Sequence, residues 1–103
     1  MIIDRALRDE GTSYHYAPPA EFADANTRLV AAASKAMLGH KTRCVVGSSW
    51  TTDAPFRETA EAIEAARAKG ILAVEMEAAA LYTFANTAGV QLLKRNQCQQ
   101  TRP

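Results

Sequence analysis

The string Ala73-Val74-Glu75-Met76-Glu77-Ala78-Ala79-Ala80 sets two carboxylates on either side of a methionine, directly after a short apolar run. In open α/β sheets, ligands bind just beyond the carboxyl ends of the strands. A carboxylate held there can accept two hydrogen bonds from a vicinal diol, and a thioether gives a soft apolar contact to a sugar ring. The plainer reading is that acidic residues at a helix start favour the macrodipole. On spacing alone the plainer reading has the edge, yet a Glu-Met-Glu wedge backed by alanines is a specific string.

A second string, Ser48-Ser49-Trp50-Thr51-Thr52-Asp53-Ala54-Pro55-Phe56-Arg57-Glu58-Thr59, also follows an apolar run. Phe56 could stack on a heterocycle and Arg57 could donate to its carbonyl groups. Equally, Phe56 could plug a core, Arg57 could be solvated, and Thr52-Asp53 could form a turn. The third string is Arg8-Asp9-Glu10-Gly11-Thr12-Ser13-Tyr14-His15-Tyr16. A lone histidine between two tyrosines is more often structural than catalytic. No nucleophile stands at a supported spacing, no metal-ligand cluster is present, and Gly11-Thr12-Ser13 is too short a signal for a phosphate-cradling loop.

These residues need elements to hold them. Residues 1–9 read as the tail of a strand or as a frayed end. Tyr14-His15-Tyr16 suits a strand that Pro18-Pro19 stops, because neither proline can donate to a ladder. A helix is expected over residues 24–38, with Asp24 as N-cap, a stripe of Leu29, Val30, Ala33 and Met37, and Gly39 just past its end. Residues 43–47 read as a buried strand that leads into a polar turn over residues 48–53. A helix over residues 58–69 ends at Gly70, and residues 71–74 form a second short buried strand. The third helix starts near residues 75–77 and runs to about Thr87, with Met76, Ala80, Leu81 and Phe84 on one face. Gly89 closes it, and residues 90–93 open another strand. Alternating strands and helices predict an α/β layer with a mostly parallel sheet and no linker that divides it.

The apolar character stops at Leu93. Residues 94–103 are polar, so the sequence predicts a partial domain over residues 1–93, a cut-short last strand with an exposed sheet edge, and a disordered tail.

Composition narrows the class. The chain has 103 residues, enough for one small domain, and 12 basic against 11 acidic residues leave a formal charge of +1. Such balance gives no electrostatic footprint for nucleic acid or an anionic membrane. Cys44 and Cys98 fit no metal or redox spacing, and Cys44, in an apolar run, reads as a small buried hydrophobe. No apolar stretch approaches the roughly 20 residues of a membrane span. A cytoplasmic, reduced location is the expectation.

Taken in order, Arg-Asp-Glu-Gly-Thr-Ser-Tyr-His-Tyr-Ala-Pro-Pro, Thr-Thr-Asp-Ala-Pro-Phe-Arg-Glu-Thr and Val-Glu-Met-Glu-Ala-Ala-Ala-Leu-Tyr-Thr resemble the central and later part of purine/uridine phosphorylases. The resemblance runs over residues 8–88, and Glu-Met-Glu is its most specific element. It implies an incomplete three-layer α/β/α piece of the nucleoside phosphorylase fold, truncated at both ends. It also implies cleavage of a nucleoside by inorganic phosphate to a free base and ribose 1-phosphate, with phosphate as co-substrate and no cofactor.

By the same resemblance, Met76 lines one side of the ribose and Glu77 accepts hydrogen bonds from its hydroxyls, with Glu75 as the other carboxylate of the string. Phe56 is the candidate stacking contact to the base, and Arg57 a second base contact. The family's phosphate loop and arginines, and the acid that protonates a purine leaving group, have no counterpart in the chain. Expected partners are a nucleoside and a second copy or complementing chain. Two alternatives remain open: a catalytically inactive remnant or interaction-only fragment, and a hydrolytic nucleosidase of the same family, in which water replaces phosphate.

Overall fold

The computed structural model describes residues 1–39 and 44–95. Its first strand, β1 (Ile2–Asp9), is an inner strand of the sheet, with Ile3 and Ala6 fully buried. A three-residue strand, β2 (Phe22–Asp24), lies antiparallel beside it, pairing Ala23 with Ala6. On the other side β3 (Val46–Thr52) runs parallel to β1, and β4 (Ile71–Glu75) runs parallel to β3. The order is therefore β2-β1-β3-β4, mostly parallel as the alternation of elements predicts.

Three helices cover this sheet. The first, α1 (Thr27–Met37), starts later than the sequence suggests. Asn26, not Asp24, caps it, its side-chain oxygen accepting from Arg28 N and Leu29 N, while Asp24 belongs to β2. α2 (Ala60–Ala68) is capped by Thr59, whose hydroxyl accepts from Ala62 N. α3 (Ala78–Ala88) ends at Gly89 in the left-handed conformation, as its position predicts.

Alternation along the strands separates two cores. Ala6 joins Met1, Ile3, Ala23, Ala25 and the α3 residues Ala78, Ala79 and Tyr82, with Val30 of α1 packed alongside. Its neighbour Leu7 packs instead against Trp50, Ile71 and Ala66 of α2. Helices thus lie on both faces, an α/β/α arrangement.

Several further expectations change. Tyr14-His15-Tyr16 is not a strand: Thr12–His15 form one 3-10 turn. Glu10 accepts from Ser13 N at 2.8 Å and from its hydroxyl, and Arg8 Nε donates to the same hydroxyl at 2.9 Å. These short-range polar bonds offer the backbone an alternative to a ladder. The polar residues 48–52 are not a turn but the body of β3. A buried polar strand is tolerated because its hydroxyls have partners: Ser48 accepts from Arg5 Nε, and Ser49 and Thr51 both donate to Glu75.

The face of α3 that meets the sheet consists of Ala78, Ala79, Tyr82, Thr83 and Ala85, leaving Met76 and Phe84 about half exposed. Small residues let the helix approach the strands closely, so the larger side chains sit outside. Residues 90–94 form no strand; Leu92 and Leu93 pack on the first core and Lys94 C=O accepts from Ile3 N at 3.1 Å. Cys44 is only partly buried, and β4 alternates rather than being buried throughout, with Leu72 and Val74 exposed. Arg43, Cys98 and the tail beyond Arg95 lie outside the described residues.

Candidate functional site

Parallel pairing brings the three chemically rich strings to one edge. Asp9 lies opposite Thr52, and Thr51 lies opposite Glu75, so β1, β3 and β4 end side by side. The segments that leave them are cross-linked: Gly11 N donates to Asp53 Oδ2 at 3.1 Å, and Trp50 Nε1 donates to Asp9 Oδ2 at 3.0 Å. This is the carboxyl edge at which α/β sheets bind ligands.

Glu75 and Glu77 differ sharply there. Glu75 Oε1 accepts from Ser49 Oγ at 2.9 Å and Thr51 Oγ1 at 2.5 Å. Its Oε2 accepts from Glu77 N at 2.6 Å and Ala78 N at 2.7 Å. Four donors therefore converge on this one carboxylate, which ties the end of β4 to the start of α3. Ala79 N donates to Thr51 Oγ1 at 2.9 Å, so three successive N–H groups at the helix entry have side-chain partners. Glu77 stands at the N-cap of α3 without capping it. Its side chain is 64% exposed and meets Lys94 Nζ at 3.3 Å. Met76, between the two acids, is 55% exposed.

Beyond β3, Thr52 Oγ1 accepts from Ala54 N at 3.1 Å and turns the chain into a short 3-10 segment, Pro55–Arg57. It presents Phe56 with its whole surface open to solvent, so Phe56 plugs no core here. The Arg57 backbone ends that segment, and its side chain lies outside the described set. His15 is exposed and belongs to a turn packed on α3.

The arrangement thus offers an exposed carboxylate, a thioether and an aromatic ring on segments leaving adjacent strands. Two surface grooves among the described residues are lined by other side chains; the larger of the two, about 430 Å³, runs along Pro18, Phe22, Asn86 and Thr87. Among the described residues no group of three or more His, Cys, Asp or Glu side chains could hold a metal ion, and no helix is long and apolar enough to cross a membrane.

Sequence reasoning missed Ser49 and Thr51, read as turn hydroxyls. The signal available was the strand propensity of Trp50, Thr51 and Thr52, an aromatic and two β-branched residues.

No curated protein sequence matches the chain. Among solved structures it is similar to uridine phosphorylase from Vibrio fischeri ES114, crystallised with 6-hydroxy-1-naphthoic acid, at 29% identity and a TM-score of 0.75. The match covers 89% of this chain and 38% of that one, so the chain spans well under half the length of that phosphorylase. The family model for the phosphorylase superfamily matches residues 1–94. With the fold and this match in agreement, the chain belongs to the phosphorylase superfamily, the family of purine and uridine phosphorylases.

Proposed function

We propose that the chain supplies the ribose- and base-facing part of a nucleoside phosphorylase site. In the reaction, a phosphate oxygen bonds to the anomeric carbon as the bond from that carbon to the base nitrogen breaks. The base leaves with the electron pair and takes up a proton, and the sugar passes through an oxocarbenium-like transition state. Catalysis rests on holding sugar, nucleophile and base in line, an effect worth up to about 7–11 kcal/mol of barrier.

The observation that carries this reading is the Glu75-Met76-Glu77 turn, in which one acid is held by four donors and the other stands exposed with a methionine beside it. Glu77 is the acceptor for the ribose hydroxyls, Met76 the apolar wall of the sugar, and Phe56 the stacking surface for the base, with Arg57 as a further base contact. Glu75 is best supported as the residue that holds the turn, since its oxygens already accept four bonds. Phosphate ligands would come from another polypeptide segment.

A thermal-shift titration with uridine, inosine and adenosine, each with and without phosphate, tests this. A ligand that binds the folded form raises the melting temperature with its concentration. A rise with one nucleoside supports the ribose site and identifies the base class. Indifference to every nucleoside overturns the assignment in favour of an inactive remnant.

A further inference from the structure

We infer that Thr51, supported by Ser49, is a positioning residue that keeps the Glu77 carboxylate free for the sugar. The inference deepens the proposed ribose site and rests on it. A capping side chain at the N-cap accepts from the N–H two or three residues on. For Glu77 the nearer of these donors is Ala79 N, and Thr51 Oγ1 already accepts from it at 2.9 Å. Thr51 uses its single hydroxyl proton toward Glu75 Oε1 at 2.5 Å, so donor and acceptor roles are both filled. Ser49 donates to the same oxygen at 2.9 Å, which fixes the Glu75 carboxylate with Oε2 toward Glu77 N and Ala78 N.

The consequence is a division of labour set by the neighbouring strand. Glu75 and Thr51 together take up the helix-entry donors, and Glu77, left without a capping bond, projects outward. Removing the Thr51 hydroxyl releases Ala79 N–H inside the protein. Glu75 Oε1, left without that hydroxyl, is the charged acceptor beside it and is drawn toward it, so the hold of Glu75 on Glu77 N and Ala78 N, which sets where Glu77 stands, loosens.

The test compares Thr51→Val, Thr51→Ser and Ser49→Ala in the full chain, using uridine titration and amide hydrogen exchange of Glu77, Ala78 and Ala79. Thr51→Val keeps the shape without the hydroxyl and is expected to weaken uridine binding about tenfold, the scale of one hydrogen bond's contribution. Thr51→Ser restores the hydroxyl and is expected to restore binding, and Ser49→Ala, which leaves the Ala79 bond in place, weakens it less than Thr51→Val. Should Thr51→Val fail to fold, the Ser49→Ala and Thr51→Ser pair still decides: Ser49→Ala must loosen Glu77 and Ala78 exchange, and Thr51→Ser must not. Unchanged uridine affinity in Thr51→Val, with the unmodified chain binding normally, overturns the positioning role alone. If the unmodified chain binds no nucleoside at all, the ribose assignment falls and the positioning role falls with it.

Discussion

The Tyr82 hydroxyl donates to the Ile3 carbonyl at 2.5 Å and accepts from Lys94 N at 2.9 Å, so one phenol joins α3, β1 and the segment after α3. Only 1% of Tyr82 is exposed, and burial pushes its pKa from 10.0 up to about 12, opposed by the backbone bond with Lys94 and aided by the nearby Glu75 and Asp4 charges. A folded pKa above the unfolded one means that the contribution of this group is complete below pH 10.0 and is lost as pH rises toward about 12. The unmodified chain should therefore lose melting temperature between those values more steeply than Tyr82→Phe. At neutral pH the variant should be less stable by about 1–3 kcal/mol, because Lys94 N loses its buried acceptor. Equal slopes for the two proteins across the alkaline window would contradict this account.

Arg8 is 7% exposed and spends its guanidinium on Ser13 Oγ, Pro18 O and Ala17 O while lying 4.3 Å from the Tyr14 ring centroid. Such a fork of donors cannot be copied by an ammonium group. Arg8→Lys should cost about 2–4 kcal/mol, nearly as much as Arg8→Ala. The urea midpoint should fall with its slope unchanged, which marks lost stability rather than a changed denatured state. A lysine variant within about 0.5 kcal/mol of the parent would show that charge alone suffices.

How far these features were legible in the sequence follows from what kind of interaction sets each one. The helix ends at Gly70 and Gly89, the alternation of elements and the apolar run at β4 depend on local chemistry, and all could be read directly. The Glu-Met-Glu string was legible as a site because a strand end followed by small residues is itself a local pattern. What escaped was decided by side-chain pairing rather than by periodicity. Ser49 and Thr51 look like turn formers until Glu75, 26 and 24 positions away, is seen to accept from them. Tyr14-His15-Tyr16 looks like a strand until Arg8 and Glu10 are seen to fasten Ser13. Apolar size points to the wrong face of α3, since its alanines and Tyr82 make the contact and Phe84 edges against Tyr16 outside it.

Two glycines after helices should behave oppositely. Gly89 ends α3 with φ of 70°, a conformation costly for a side chain, so Gly89→Ala should destabilise by about 1–2 kcal/mol. Gly39 follows α1 without a positive φ, and a methyl group there meets nothing within 4 Å. Gly39→Ala should leave stability unchanged or raise it by about 0.4–1 kcal/mol through the unfolded chain. Paired thermal melts decide between them, and equal losses in both variants would refute the distinction.

The sharpest contrast concerns two acids separated by one residue. Glu75 accepts four hydrogen bonds, so Glu75→Ala leaves several donors without a partner and should cost about 2–4 kcal/mol of stability. Glu77 is 64% exposed, and its ion pair with Lys94 is of the exposed kind worth about 0–1 kcal/mol. Glu77→Ala should therefore melt within a degree or two of the parent, yet lose nucleoside affinity about 10–100-fold, the scale of hydrogen bonds to a charged acceptor. Because Lys94 competes for the same carboxylate, Lys94→Ala should bind nucleoside as tightly as the parent or slightly more so. Calorimetric titration beside thermal melts separates the two effects. A Glu77→Ala variant that binds nucleoside normally would remove this carboxylate from the ribose site, whatever happens to Glu75.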